Sequence, residues 1–203
     1  LGKEKREFKD TEIGRIPKEW EVTTLDEIIN IHDNKRIPLS EMERANKKGI
    51  YPYCGANGVI DYIDDYIFQG EYILLAEDGG AYGKFESSCY LINGKFWVNN
   101  HAHILQVKKN KGMSKFYMSI LNFINLNQYI VGSTRKKLNQ NDMKRIKIPL
   151  LALSEQQQIV EILSSIDEKL KNLLNGKEKY RKIKKGLMND LLTGRRRVKY
   201  DIQ

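Results

Sequence analysis

The sequence predicts an α+β protein. An irregular, curled, antiparallel β-rich domain with short helices comes first, followed by a long C-terminal coiled-coil-forming α-helix. Two observations carry this expectation. Across residues 51–107, short β-branched and aromatic runs alternate with Gly/Asn turn signals. Across residues 154–194, apolar side chains instead recur at alternating spacings of four and three, the pattern of a helix packed along a seam.

The elements follow in order. Residues 1–19 are charged and contain Ile16-Pro17, which reads as a linker entering the domain of residues 20–150. Residues 24–29 predict a short capped helix, and residues 38–46 either a polar loop or a second short helix. Strands are expected at 51–53, 59–63, 72–76, 89–92, 96–98 and 102–107. Gly55-Ala56-Asn57-Gly58, Asp78-Gly79-Gly80 and Asn93-Gly94 supply turn chemistry between them. Phe116, Ile120, Leu121 and Ile124 have helical spacing, and Asn139 caps a short helix before Ile146-Lys147-Ile148-Pro149-Leu150, a strand or extended exit.

The remaining residues, 151–203, form the helix and a basic tail. Ser154 stands at the N-cap position with Gln157 as capping-box partner. The seam runs Ile159, Leu163, Ile166, Leu170, Leu173, then Lys177, Tyr180, Lys184, Leu187 and Leu191, with Gly194 as the stop. Residues 154–192 would span roughly 58 Å as one helix. Lysines on a seam cost stability but can fix register and partner. The alternative is a helix that bends near Asn175-Gly176 and continues as a solvated segment; one glycine costs only about 1 kcal/mol, which favours continuity.

Forty per cent hydrophobic residues and eleven tyrosines provide for a packed core rather than disorder. No apolar run approaches the roughly 18 residues of a membrane span, and no signal-peptide pattern is present, so a cytoplasmic protein without membrane contact is expected. The chain opens on Leu rather than Met, as a processed or trimmed chain would. Cys54 and Cys89 lack metal-ligand spacing and read as reduced, partly buried residues. The net charge is +9, yet residues 169–199 hold twelve Lys/Arg against Glu178 and Asp190, leaving 23 basic and 24 acidic residues elsewhere. Any nucleic-acid contact by the domain must therefore rest on local clusters rather than on its overall field.

The sequence offers no Walker loop, dinucleotide fingerprint or methyl-donor βαβ pattern. His101 and His103 flank Ala102 and would share one side of a strand, where packing or hydrogen bonding outweighs metal binding. Glu77-Asp78 before Gly79-Gly80 reads as a turn, and Asp167-Glu168-Lys169 as an exposed helix face. No catalytic constellation, metal site or cofactor is expected. Three polar loops remain. Gly132-Ser133-Thr134-Arg135-Lys136-Lys137 offers amides, hydroxyls and cations suited to phosphates and groove edges. Trp97-Val98-Asn99-Asn100-His101 offers two amides and an imidazole, and Tyr53 with Ala56-Asn57-Gly58 forms the third. The bland reading of each is a solvated loop, with Asn serving left-handed turn positions.

Taken together, these segments resemble the specificity subunit of type I restriction-modification systems. The resemblance runs from Ile16-Pro17-Lys18-Glu19-Trp20, with Leu25 and Ile28, through Gly55-Ala56-Asn57-Gly58, Ile60-Asp61-Tyr62 and Ile73-Leu74-Leu75-Ala76-Glu77-Asp78-Gly79. It continues in Trp97-Val98-Asn99-Asn100-His101-Ala102-His103. It is strongest in Lys137-Leu138-Asn139-Gln140, Ile148-Pro149-Leu150, Glu155-Gln156-Gln157-Gln158-Ile159 and Leu191-Leu192-Thr193-Gly194. It implies that residues 20–150 are a target recognition domain reading half of a bipartite double-stranded DNA sequence. The helix would be a conserved spacer that docks methyltransferase and restriction subunits, with catalysis residing in those partners. Family members usually carry two such domains and two helices, whereas this sequence has one of each. A half-length chain would pair with a copy of itself through antiparallel helices; the alternative is that the sequence is one half of a longer parent that carries the second domain and helix. The competing expectation is a coiled-coil scaffold or adaptor whose β-rich domain binds protein or glycan, insensitive to salt and without a DNA footprint.

Overall fold

Two short antiparallel pairings frame the start of the chain in the computed structural model, which describes residues 7–132 and 136–199. β1 (Phe8–Thr11) pairs with β2 (Gly14–Pro17) as a hairpin where the sequence predicts a linker. Of its side chains only Ile16 is buried, so the hydrophobic signal of a strand is almost absent. β3 (Glu21–Thr24) pairs antiparallel with β10 (Lys147–Leu150), which joins the entry of the domain to its exit. α1 (Leu25–Ile28) follows, its first amide donating to the Ile146 carbonyl at 2.8 Å and both its terminal apolar side chains fully buried.

The main sheet has six strands: β4 (Ile29–Ile31), β5 (Lys48–Gly55), β6 (Gly58–Ile63), β7 (Phe68–Ala76), β8 (Cys89–Val98) and β9 (Ala102–Val107). Their order is β4-β9-β7-β8-β5-β6. All neighbours are antiparallel except β5 and β8, which run parallel through Tyr53↔Trp97 and Cys54↔Val98. The break expected at Asn93-Gly94 does not occur. Gly94 lies directly opposite Gly70, with φ of 102° and 127°, and the ribbon passes through both. Without a Cβ the two residues accept this backbone, so the ribbon bends where side chains would have stopped it.

Connectivity demonstrates the curl. Val98 ends β8 beside the start of β7, since Phe96 pairs with Phe68, whereas Ala102 opens β9 opposite Ala76 at the other end of β7. Four residue steps from Val98 to Ala102 reach at most about 14 Å. A straight β7 from Phe68 to Ala76 would cover about 27 Å. The ribbon must therefore curve until its ends approach each other. Phe68, Tyr72, Leu74, Phe96, Val98 and Ile104 pack into one buried cluster. Phe68 stacks on Phe96 at 5.4 Å, and Tyr72 meets both rings edge-on.

α2 (Glu41–Asn46) settles the ambiguity over residues 38–46. Ser40 and Glu43 form a reciprocal capping box, the Glu43 carboxylate accepting from the Ser40 amide at 2.7 Å. α3 (Ser114–Phe123) buries Phe116, Tyr117 and Leu121, and α4 (Gln140–Lys144) begins after Asn139, whose side chain does not cap it. Both cysteines are free and buried; burial pushes the Cys54 thiol up to about 11 and the Cys89 thiol higher still, as inert core residues.

α5 (Leu153–Leu192) is one unbroken helix through Asn175-Gly176. It starts before the expected cap: the Glu155 and Gln156 amides both donate to the Ala152 carbonyl at 3.0 Å, which places Ser154 inside the first turn. The chain divides into two compact units, residues 1–157 and residues 158–203, and the opening turn of α5 belongs to the first. There Gln156 is buried; its Oε1 accepts from the Met113 amide at 3.1 Å and its Nε2 donates to Leu151 O at 3.1 Å. The Trp20 indole donates to Glu155 Oε2 at 2.9 Å. No helix among the described residues is long and apolar enough to cross a membrane.

Candidate nucleic-acid interface

The curl brings four chain segments together: the β5–β6 turn (residues 55–58), the β7–β8 connection (77–88), the β8–β9 turn (99–101) and a fourth segment described at residues 131–132 and 136–138. Their meeting point is Glu77-Asp78-Gly79. Asn57 Nδ2 donates to the Gly79 carbonyl at 3.0 Å. His101 Nδ1 lies 2.6 Å from Asp78 Oδ1, and the Glu77 amide donates to His101 O at 2.9 Å. Asp78 bridges Lys137 through the backbone, and the Leu138 amide donates to Glu77 O at 2.8 Å. Val131 and Lys137 exchange backbone hydrogen bonds at 2.9 and 3.0 Å, which closes the base of the fourth segment.

Beneath this meeting point lies a layer of charge. Arg36, just beyond a 3₁₀ turn over Asp33–Lys35, donates from Nη1 to Glu77 Oε2 at 2.5 Å and to Ala102 O at 3.0 Å. Lys137 Nζ sits 2.9 Å from the other Glu77 oxygen. His103, 1% exposed, places Nδ1 2.6 Å from Asp33 Oδ2, and its Nε2 donates to Leu138 O at 2.8 Å. The Ile104 amide and Gln140 Nε2 also donate to the Asp33 carboxylate, at 2.9 and 3.1 Å.

Burial acts to raise the Asp33 carboxyl, but the hydrogen bond and charge of His103, with the Ile104 amide and Arg36, outweigh it and hold it below the usual carboxylate value. Burial acts likewise on Glu77, where hydrogen bonds from Arg36 and Lys137 and the charges of His103 and Arg36 hold the group low. Asp33, Glu77 and His103 bring potential ligand atoms within 4.8 Å of one another, the donor types of a metal site. Each is already engaged: both His103 nitrogens are hydrogen-bonded, and Glu77 lies between two side-chain cations. The set acts as an ion-paired support for the loops.

The structure treats the residues selected from sequence unequally. Asn57 and Asn100 are exposed, His101 is partly so, and Lys136 and Lys137 are exposed on the fourth segment. Lys136 Nζ reaches Asn127 Oδ1 at 3.4 Å. Ser133, Thr134 and Arg135 lie outside the described residues. Asn99 is buried, its amide donating to Cys54 O at 3.0 Å and its Oδ1 accepting from the His101 amide at 2.9 Å, so it shapes the turn. Tyr53 departs most from expectation. It is 1% exposed, packs with Ile63 and Trp97, and its hydroxyl accepts from the Leu39 amide at 2.8 Å. Tyr53, Cys54 and Gly55 are all buried, so both faces of β5 are covered as it enters the turn. Two further readings are corrected. His101 lies on a turn rather than sharing a strand face with His103, and Glu77-Asp78 anchors the loops rather than merely forming a turn.

Asp33 and Arg36 carried no periodicity or motif that marked them. The usable signal was the adjacent acids before Gly79-Gly80, because a solvated turn seldom needs two carboxylates beside a hydrophobic strand.

In the second unit the seam residues are exposed from Leu163, at 41%, to Tyr180, at 72%, while Ile159 is half-buried. Tyr180, Ile183, Leu187, Met188 and Leu191 line a shallow apolar groove in which Lys184 also lies.

Residues 17–184 match the family described as type I restriction modification DNA specificity domain. A type I restriction enzyme specificity subunit assigned in Haemophilus influenzae is 38% identical over 150 residues, 73% of this chain and 37% of that protein. The MjaVIII specificity subunit of a type I restriction enzyme from Methanocaldococcus jannaschii is 28% identical over 97% of this chain and 51% of its own length. The chain thus spans about half, or less, of the length of these relatives. The crystal structure of the S subunit of a type I restriction-modification system from M. genitalium superposes with a TM-score of 0.62 at 19% identity. It covers 84% of this chain and 45% of that one, a likeness of fold.

Proposed function

The chain belongs to the family of type I restriction modification DNA specificity domains, and from that membership we propose that it is a non-catalytic DNA-reading subunit. Residues 20–150 read one half of a bipartite double-stranded target. The observation that carries this reading is the convergence of four loops on Glu77-Asp78-Gly79, with Asn57, Asn100, His101, Lys136 and Lys137 at least partly exposed around them. Amide, imidazole and ammonium groups on rigid turns suit base edges and phosphates respectively. The intervening segment of Ser133, Thr134 and Arg135 supplies further phosphate or groove contacts.

α5 serves to pair two copies and to carry the methyltransferase and restriction subunits. Its solvent-exposed apolar seam supports pairing, and its charge supports an antiparallel sense. From Leu153 to Glu168 the helix holds Glu155, Glu161, Asp167 and Glu168 and no Lys or Arg, whereas residues 169–199 hold twelve Lys/Arg and two acids. Antiparallel copies set the acidic stretch of one beside the basic stretch of the other, and parallel copies set like beside like. The subunit would act in the cytoplasm, where such a complex meets DNA.

The test is co-expression with its cognate methyltransferase subunits, followed by mapping of methylated bases in the host DNA. A split motif that appears only when this chain is present is the expected result. Methylation that is absent, or independent of the chain, would overturn the proposal.

A further inference from the structure

The Asp78–His101 pair does more than hold two loops together. Asp78 is 14% exposed at its side chain and His101 41%, with His101 Nδ1 2.6 Å from Asp78 Oδ1. An ionised carboxylate only accepts, so in the neutral ring Nδ1 carries the proton and Nε2 retains its lone pair. Nε2 has no hydrogen-bond partner among the described residues. The backbone beneath the ring is fixed on both sides, the His101 amide donating to Asn99 Oδ1 and its carbonyl accepting from Glu77. The result is an acceptor of set tautomer and orientation, part-exposed at the centre of the loop cluster.

We propose that Asp78 is a positioning residue that makes His101 a reader of an exocyclic amino group, adenine N6 or cytosine N4, at one position of the DNA target. The inference rests on the DNA-reading function proposed above and assigns a base chemistry to one of its loops. An Nε2 lone pair accepts from an amino group, whereas guanine O6 and N7 are themselves acceptors and offer it no proton. Among the described residues, the charged groups of the cluster are Asp78 and Glu77 on the β7–β8 connection, Arg36 with Nη1 3.4 Å from Asn100 O, His103 on β9 and Lys137 on the fourth segment.

The experiment uses the complex assembled with methyltransferase subunits and synthetic duplexes bearing its mapped motif, each with one base pair exchanged. One half-site position should prefer an amino-bearing base by about tenfold, the scale of a single base contact. His101→Ala and Asp78→Asn should each abolish it at the same position, and the double variant should do no more. Melting curves of each variant exclude unfolding, and the exposed His101 keeps the inference testable if Asp78→Asn is unstable. Should Asp78→Asn weaken all duplexes equally and keep the base preference at that position, Asp78 is merely structural and the inference fails. Should His101→Ala leave every preference intact, it fails as well. If the wild-type complex discriminates among no duplexes, the DNA-reading proposal falls with it.

Discussion

Arg36 is the side chain on which the loop cluster most depends, because it joins Glu77 to the β9 backbone from an otherwise irregular stretch. Arg36→Ala leaves the Glu77 carboxylate, 12% exposed, with Lys137 as its remaining strong cation. Losing one partner of such a part-buried pair costs about 2 kcal/mol, which in a chain of this size lowers Tm by roughly 4–8 °C. Thermal unfolding checks this. The same network sets an acid limit. Asp33 and Glu77 are depressed in the folded state, so their stabilisation is fully present above the unfolded carboxylate range and is lost as pH falls through their folded values. Unfolding midpoints measured from pH 7 down to pH 3 should fall more steeply for the native chain than for Asp33→Asn. At the interface, Arg135→Ala in the assembled complex should weaken DNA binding and lower the salt slope by about one, the signature of a lost phosphate contact. Unchanged affinity and slope would remove Arg135 from the contact set. Composition and turn chemistry located loops that the fold brings together, but not which side chains face outward. Tyr53 shows why: its burial is set by long-range packing against Ile63 and Trp97, partners that local turn chemistry does not name.

Among the elements, those with a sustained period were legible, and those defined by pairing were not. α5 followed from its seam, and its continuity through Gly176 fits the small cost of one glycine. Its start was misplaced because a Ser and a Gln at capping-box spacing mimic a cap that the Ala152 carbonyl already provides. The β1–β2 hairpin was invisible because burying little but Ile16 leaves no alternation to detect, and β8 was divided because Asn-Gly usually ends a strand. The structure shows that the opposed Gly70 instead turns this signal into a bend. The most exposed consequence concerns α5. Leu163, Ile166 and Leu170 are 41–53% exposed, and three large apolar residues on one face are costly without a partner. Replacing all three with Asp should give monomers at micromolar concentration by light scattering, with the β-rich unit folding as before. A native chain that is already monomeric under those conditions would remove pairing through this seam.

For the molecule as a whole, the proposed pairing of two copies through the asymmetrically charged helix leads to one expectation about DNA. Under that proposal each copy of the reading unit takes one half of a two-part target. Two identical copies related by a two-fold axis must read the same bases on opposite strands. The methylated motif should therefore be an inverted repeat, two identical half-sites separated by unread base pairs. Charge supplies an independent check on the pairing behind it. Reversing Glu161, Asp167 and Glu168 to Lys sets basic against basic in an antiparallel pair, so association should weaken and recover in high salt, where screening removes the repulsion. A parallel pair would keep these changes away from the basic half and respond far less. An asymmetric motif would assign the second half-site to a different chain while leaving the reading unit intact. A symmetric motif that survives the charge reversal would place pairing on another surface. The inverted repeat with salt-rescued association is the outcome that requires both the four-loop reader and the antiparallel helix.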